Sequence, residues 1–273
     1  MSDGVLSQVR ILSLRVVDLD SEHEDIFWRH VNADPLDYYF FIYDRKLNPN
    51  DTRILLALDR DEVEGAMLIY KDAVFQARGS RVAIDVLLDH LDIESAEGSV
   101  PMDCRDLLLS RYRSPKEYQI VLMHLRRGDE NLIIPHETAR LHEAQAEEIA
   151  KLIREANPDW WAETKTEDIK KSLGFSLWLG IMEGGKVASL ASTRLLDFGS
   201  NVSIVATHKD FRNKGYATSV VSAVLREIFR EHDKALIHVL SDNRPARHVY
   251  EKVGFRPYRN YFQIKGGHRI AAK

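Results

Sequence analysis

The stretch HKDFRNKGYATSVVSAVLREIF, His208–Phe229, sets a short positive turn in front of a long amphipathic helix. Arg212 and Lys214 precede Gly215, and Ala217 follows two residues later. From Ala217 on, Val220, Val221, Val224, Leu225, Ile228 and Phe229 fall at helical spacing and make one continuous apolar face. The first turn of a helix leaves backbone N–H groups without partners and carries partial positive charge. Gly215 brings the backbone close to a ligand with no Cβ in the way, and Ala217 keeps that approach open. With the two cations these parts make an anion cradle suited to a phosphate or pyrophosphate. An ordinary strand-to-helix turn with solvated cations fits the loop equally well, so its neighbours decide.

Before the loop, NVSIVAT (Asn201–Thr207) reads as a strand rich in β-branched residues. Further back, Ser176–Leu196 holds two apolar runs around EGGK, a hairpin pattern. Thr138–Asp159 gives a short strand and a helix in which Ile149, Leu152 and Ile153 repeat at helical spacing. After the loop helix come a strand over Lys234–Leu240, a short helix over Arg244–Gly254 opened by Pro245, and a strand over Tyr258–Ile264.

VATHKDFRNKGYAT resembles the acetyl-coenzyme A signature of the GNAT superfamily of N-acetyltransferases, in which Arg/Gln-x-x-Gly-x-Gly/Ala opens a helix after a strand. Arg212, Gly215 and Ala217 fill its three defining positions. Downstream, DNRPARHVYEKVGF resembles the second signature, Asn-x-x-Ala-x-x-x-Tyr-x-x-x-Gly-Phe, through Asn243, Ala246, Tyr250, Gly254 and Phe255. The resemblance covers Thr138 to Ile264 and implies acetyl-CoA as co-substrate. It implies that Val205, Ala206 and Thr207 pair through their backbone with the pantetheine arm, like an added strand. The amide of Val205 or Thr207 would also serve as oxyanion donor. The amides of Arg212, Asn213, Lys214, Gly215, Tyr216, Ala217 and Thr218 would hold the pyrophosphate, and Asn243 the pantetheine. Tyr250 would protonate the departing thiolate as general acid.

No Ser-His-Asp arrangement or second cysteine suggests a covalent acyl-enzyme, so direct attack by an amine is the expected route. Glu163, Asp197 and His208 are the candidate bases. Asp197 ranks first because its loop leads into the binding strand, although a turn-forming carboxylate explains it as well. A non-catalytic acyl-CoA-binding module would keep the cradle without needing Tyr250. Transfer of a longer acyl group is a further alternative, since glycine N-acyltransferase-like proteins resemble this layout.

The first half repeats the order of elements, not the residues. A strand over Arg10–Val17, a helix over Ser21–Val31 and a strand-like run over Tyr38–Asp44 come first. A hairpin over Arg53–Phe75, helices over Val82–Leu91 and Cys104–Tyr112, and a strand over Tyr118–Leu125 follow. The charged segment Arg126–Glu137, with Gly128 and Pro135, is the expected boundary. The expectation is therefore an α/β (α+β) chain of two domains. Residues 1–134 form a degenerate GNAT-like domain, and 135–273 a catalytic GNAT domain with a mixed, mostly antiparallel sheet flanked by helices. QARGSR (Gln76–Arg81) sits where the first copy's cofactor loop would fall. Arg81 stands where a small residue is needed, so a plain turn is expected there.

Composition fits a globular chain: 273 residues, 44% hydrophobic and 29% charged, net charge −4. That balance and the lack of a basic stripe around Arg111–Lys116 argue against nucleic-acid binding. One cysteine, Cys104, leaves no disulfide framework. The eleven histidines form no His-Glu-x-x-His pattern, so no metal is expected. GIMEGGKV (Gly180–Val187) fails as a P-loop because Val187 stands where Ser or Thr is required. No signal peptide and no run of ~20 apolar residues is seen, so a cytoplasmic protein off the membrane is expected. Trp160 and Trp161 are placed to line an acceptor pocket or simply to pack. The acceptor is a small-molecule or peptide amine, and its identity and the oligomeric state stay open.

Overall fold

The computed structural model describes residues 13–270, so Arg10–Leu12 of the first expected strand lie outside the described residues. The first half forms β1 (Arg15–Asp18), α1 (Glu24–Ala33), α2 (Tyr39–Leu47), β2 (Thr52–Asp59), β3 (Glu62–Tyr70), β4 (Val74–Gly79) and α3 (Arg81–Asp89). It continues with β5 (Glu97–Pro101), α4 (Arg105–Leu109), β6 (Tyr112–Arg113) and β7 (Lys116–Arg126). The second half forms β8 (Ala139–Arg140), α5 (Ala146–Ala156), α6 (Pro158–Trp161), α7 (Thr166–Leu173), β9 (Leu177–Glu183), β10 (Lys186–Thr193) and β11 (Ser200–Thr207). It ends with α8 (Tyr216–Glu231), β12 (Lys234–Leu240), α9 (Arg244–Lys252), β13 (Arg256–Lys265) and β14 (His268–Arg269). Apart from the two-residue strands β6 and β14, each half thus runs a short strand, helices, three strands, a helix, a strand, a helix and a long strand. Within each half the three consecutive strands pair antiparallel, and the third pairs in parallel with the strand that follows the helix. No helix among the described residues is long and apolar enough to cross a membrane.

Described residues up to Tyr118 and from Phe262 on form one compact unit, and Gln119–Tyr261 form the other. The chain therefore passes between units inside β7 and β13, not within the charged segment Arg126–Glu137. In the first unit the strand order is β1-β2-β3-β4-β5, then the end of β13. Phe262 and Ile264 from β13 are buried in its core beside Phe75, Leu87 and Leu108. In the second unit the order is β13-β7-β12-β11-β10-β9-β8. There β7 lies antiparallel to β12, with Val121 opposite Val239 and Leu125 opposite Ala235. Val121, Met123 and Leu125 enter the core packed against α8 and α9, with Val220, Val224, Ile228 and Val253. Burial of each such side chain contributes ~1.5–3 kcal/mol. A separate cluster of Ile149, Leu152, Ile153 and Trp178 holds α5 on β9 to β11.

Three local expectations change. Gln76–Arg81 is not a plain turn: Gln76–Gly79 end β4, and Ser80 caps α3. Tyr38–Asp44 is not a strand: its residues lie in and just before α2. Aromatic residues favour strands by composition, but Tyr38, Phe41 and Ile42 are buried at spacings of three and four while Phe40 and Tyr43 are half-buried. That is a helical face. Cys104–Tyr112 is helical only over Arg105–Leu109, and Tyr112 opens β6 with its hydroxyl donating to the Ile93 carbonyl at 2.7 Å.

The Arg127–Glu137 segment is an ordered strap on the second unit. The Asn131 amide donates to Val253 O at 3.0 Å, and its side chain donates to Lys252 O at 3.1 Å. The Ile133 amide donates to Ser222 Oγ at 3.0 Å, and Ile134 packs on the core. Gly254 (φ +111°) fits this contact: a Cβ there would stand 2.6 Å from Asp129 O. The glycine of the second motif is thus required both by its left-handed backbone and by the strap.

Candidate active site

β11 and β12 are bridged only at Ser200/Ala235 and Asn201/Leu236, and beyond that pair they separate. On its other edge β11 stays paired with β10 as far as Thr207 opposite Ser189. The register skips Ser203, a bulge that turns the strand where the separation begins. His208 N donates to Ala188 O at 2.9 Å, and Ser189 Oγ donates to Ala206 O. Backbone direction alternates along a strand. The N–H and C=O of Ala206 therefore face β10, while those of Val205 and Thr207 face the opening. Arg212 Nε reaches the Thr207 carbonyl at 3.4 Å, and the Thr207 hydroxyl meets Ser189 Oγ at 2.8 Å. Val205 and Thr207 are thus the positions of the three that present backbone to the gap.

The strand runs into a single turn of tight helix over Lys209–Phe211 and then into the cradle. Gly215 is the N-cap residue of α8, with φ +80° and ψ 3°, and no side chain caps this helix. Asn213 is also left-handed, at φ +62°. An added Cβ at Gly215 would meet only His136 Nε2, at 3.6 Å. Glycine is therefore required there by backbone conformation rather than by crowding. The amides of Tyr216, Ala217 and Thr218 fall in the first turn, where no helical acceptor exists. Arg212, Asn213, Lys214 and Gly215 are exposed, Ala217 is half-buried, and Tyr216 and Thr218 are buried. The exposed backbone around Gly215 fits an anion, with the Arg212 and Lys214 charges alongside.

Tyr216 anchors the loop from below. Its hydroxyl donates to a Glu183 carboxylate oxygen, which raises the phenol pKa. Phe211 stacks on its ring at 6.3 Å, His136 meets it edge-on at 4.6 Å, and Lys214 Nζ lies 5.0 Å over Phe211. Neither His136 nor Glu183 stands out in the sequence. They lie in segments read as a boundary and a hairpin, and only distance in space ties them to the loop.

On α9, Asn243 Oδ1 accepts the Ala246 amide at 3.2 Å, so this side chain caps its helix and keeps its NH2 group in hand. Tyr250 is buried against Phe255, ring centroids 6.1 Å apart, in the same core as Val202 with Val205 packed against it. Its hydroxyl makes no hydrogen bond among the described residues. Burial pushes its pKa well above the ordinary 10, so it keeps its proton throughout the neutral range.

The three candidate bases sit apart. Asp197 is exposed in the turn before β11, where its Oδ1 accepts the Phe198 amide at 2.9 Å. His208 follows the far end of β11 and accepts the Asp210 amide at its Nδ1, 3.3 Å away. At ~3.3 Å per residue, Asp197 and His208 lie at opposite ends of the strand. Glu163 is exposed between α6 and α7, and Trp161 of α6 is also exposed. Asn201, at the last bridged pair, is a further candidate that its sequence context does not mark. Its Oδ1 is buried with no partner among the described residues.

In the first unit β4 and β5 also part after three bridged pairs, the last being Gln76/Ser99. There the gap holds a protein side chain. Arg78 is buried and donates to Ser99 O, Ser99 Oγ, Ala77 O and Gln76 Oε1, and pairs with Asp37 at 3.2 Å. The start of α3 is capped by Ser80, which accepts the Ala83 amide, and Arg81 pairs with Asp106. Charge and hydrogen-bond acceptors are thus supplied internally at the positions that α8 leaves open.

Residues 178–264 match the FR47-like protein family. No curated protein matches the chain in sequence. Among solved structures, a Drosophila protein aligns with a TM-score of 0.69 at 15% identity, over 93% of this chain and 98% of its own. A GCN5-related N-acetyltransferase from Sphaerobacter thermophilus aligns at 0.60 and 13% identity, over 92% and 95%. A tandem GNAT protein from the clavulanic acid biosynthesis pathway aligns at 0.58 and 13% identity, over 93% and 98%. The chain therefore has a two-unit GNAT fold, with its FR47-like segment in the second half.

Proposed function

We propose that the second unit is an N-acyltransferase that takes an acyl group, acetyl first of all, from coenzyme A to a primary amine. The observation that supports it is the separation of β11 from β12 after Asn201, which leads directly into the uncapped start of α8. A bound acyl-CoA would supply an activated thioester, so that a C–N bond forms as the C–S bond breaks. The backbone of Val205 and Thr207 is positioned to pair with an extended chain and to donate to a carbonyl oxygen. The amides from Arg212 to Thr218, with the Arg212 and Lys214 side chains, hold negative charge. Asn243 offers its NH2, which makes no hydrogen bond among the described residues, to the pantetheine arm. Tyr250 holds the proton that the departing sulfur takes up. The amine proton is not assigned to Asp197, because its turn lies before the bridged Ser200 and Asn201, at the closed end of β11 and away from Val205 and Thr207. The reading places the protein in the cytoplasm with a small-molecule or peptide amine as partner, and involves neither nucleic acid nor membrane.

Release of free thiol from acetyl-CoA across a panel of polyamines, amino acids, arylalkylamines and peptides tests this. Amine-dependent release well above the hydrolysis rate is expected with at least one acceptor class. Thiol release that no amine raises, with acetyl- or longer acyl-CoA, favours a binding module instead.

A further inference from the structure

We propose that His136, in the strap between the two halves of the sequence, is a positioning residue for the coenzyme loop and sets its affinity for the coenzyme A pyrophosphate. The inference rests on the reading above that this loop receives coenzyme A. His136 lies seventy-eight residues before Lys214 in sequence, yet its Nε2 is 2.9 Å from the Lys214 carbonyl oxygen. A carbonyl only accepts, so Nε2 carries the proton. A trans peptide unit is planar, with its C=O and N–H pointing in opposite directions. Pinning the Lys214 carbonyl toward His136 therefore turns the Gly215 N–H the other way, onto the exposed side of the loop. The same ring meets Tyr216 edge-on at 4.6 Å and stands 3.6 Å from where a Gly215 Cβ would be. One side chain thus bonds Lys214, packs on Tyr216 and stands beside Gly215 between them, at the start of α8.

The strap is itself fixed, so His136 is held rather than free to swing. Asn131 is bonded to the end of α9, Ile133 to Ser222 on α8, and Ile134 is packed on the core. Gly215 and Asn213 are both left-handed, a conformation that costs energy for Asn213 and favours other backbone arrangements in the free loop. A fixed donor that selects one orientation of the 214–215 peptide removes that ordering cost from the binding step.

The test uses the full chain and titrates coenzyme A calorimetrically against three variants. His136→Phe keeps a ring against Tyr216 but has no donor. His136→Gln places an amide N–H near the former Nε2 position. His136→Ala removes both. Phe and Ala variants are expected to bind coenzyme A roughly tenfold more weakly, the effect of one hydrogen bond. The Gln variant is expected to stay within about threefold of wild type. Melting temperatures should stay close to wild type, since His136 is only half-buried and bonds one carbonyl. The inference is overturned if the Phe variant binds as tightly as wild type, or if Gln falls as far as Phe. Wild-type chain that does not bind coenzyme A at all would instead remove the functional reading, and this inference with it.

Discussion

Tyr250→Phe is expected to lower amine-dependent turnover about a hundredfold while leaving acetyl-CoA affinity within about twofold, because positioned proton transfer contributes ~10²–10⁴-fold. The substitution deletes one atom. It leaves the edge-on packing on Phe255 and the buried volume in place, and the hydroxyl has no partner among the described residues to orphan. Stability should therefore change little. Burial holds the Tyr250 phenol protonated, with its pKa raised above the ordinary 10. The acid form is thus fully present at neutral pH, and the variant's deficit should be the same from pH 6 to 9. The check is kcat and KM for both substrates across that range. A kcat within about threefold of wild type would leave Tyr250 a packing residue and move the proton step elsewhere.

The second large effect concerns where the chain can be cut. A fragment of residues 135–273 follows the compositional boundary but leaves out β7. It would lose Val121, Met123 and Leu125 from the core against α8 and α9, and the whole antiparallel ladder from Lys234 to Leu240. Three buried side chains at ~1.5–3 kcal/mol each are a large share of the ~5–15 kcal/mol that holds a domain folded. The fragment should show no cooperative thermal transition by circular dichroism and should expose apolar surface. A fragment of residues 119–261 keeps that strand and should melt cooperatively. Cooperative melting of 135–273 would contradict the role given to β7.

The Arg212–Thr218 loop and its helix were legible because their determinants are local. The apolar face of α8, the small residues at Gly215 and Ala217, and the Asn243–Phe255 spacing all lie within a few turns of chain. The separation of β11 from β12 is not local, and only the resemblance implied it. Tyr38–Asp44 misled because six of its seven residues are aromatic or aliphatic, which hides period. The fold that packs Tyr38, Phe41 and Ile42 together decides for helix. The strap misled in the opposite way. Its charges and its Gly and Pro mark exposed backbone, but its role comes from bonds to Val253, Lys252, Ser222 and Lys214, all 78 or more residues away. The passage of β13 into the first unit rests on Phe262 and Ile264 meeting residues far back in sequence, and no spacing announces such a pairing. Arg78 was invisible for the same reason: a lone arginine in a strand shows nothing of Asp37 or Ser99 until the fold brings them together.

The central claim is that one unit of the pair is an acyl-CoA site and the other has its gap filled by its own Arg78. Calorimetric titration of the full chain with acetyl-CoA tests it most directly. The account predicts saturable binding with one acetyl-CoA per chain, unchanged in Arg81→Ala and lost or strongly weakened in Gly215→Val, whose β-branched residue resists the left-handed conformation. Two bound per chain, or no binding at millimolar acetyl-CoA, would contradict it.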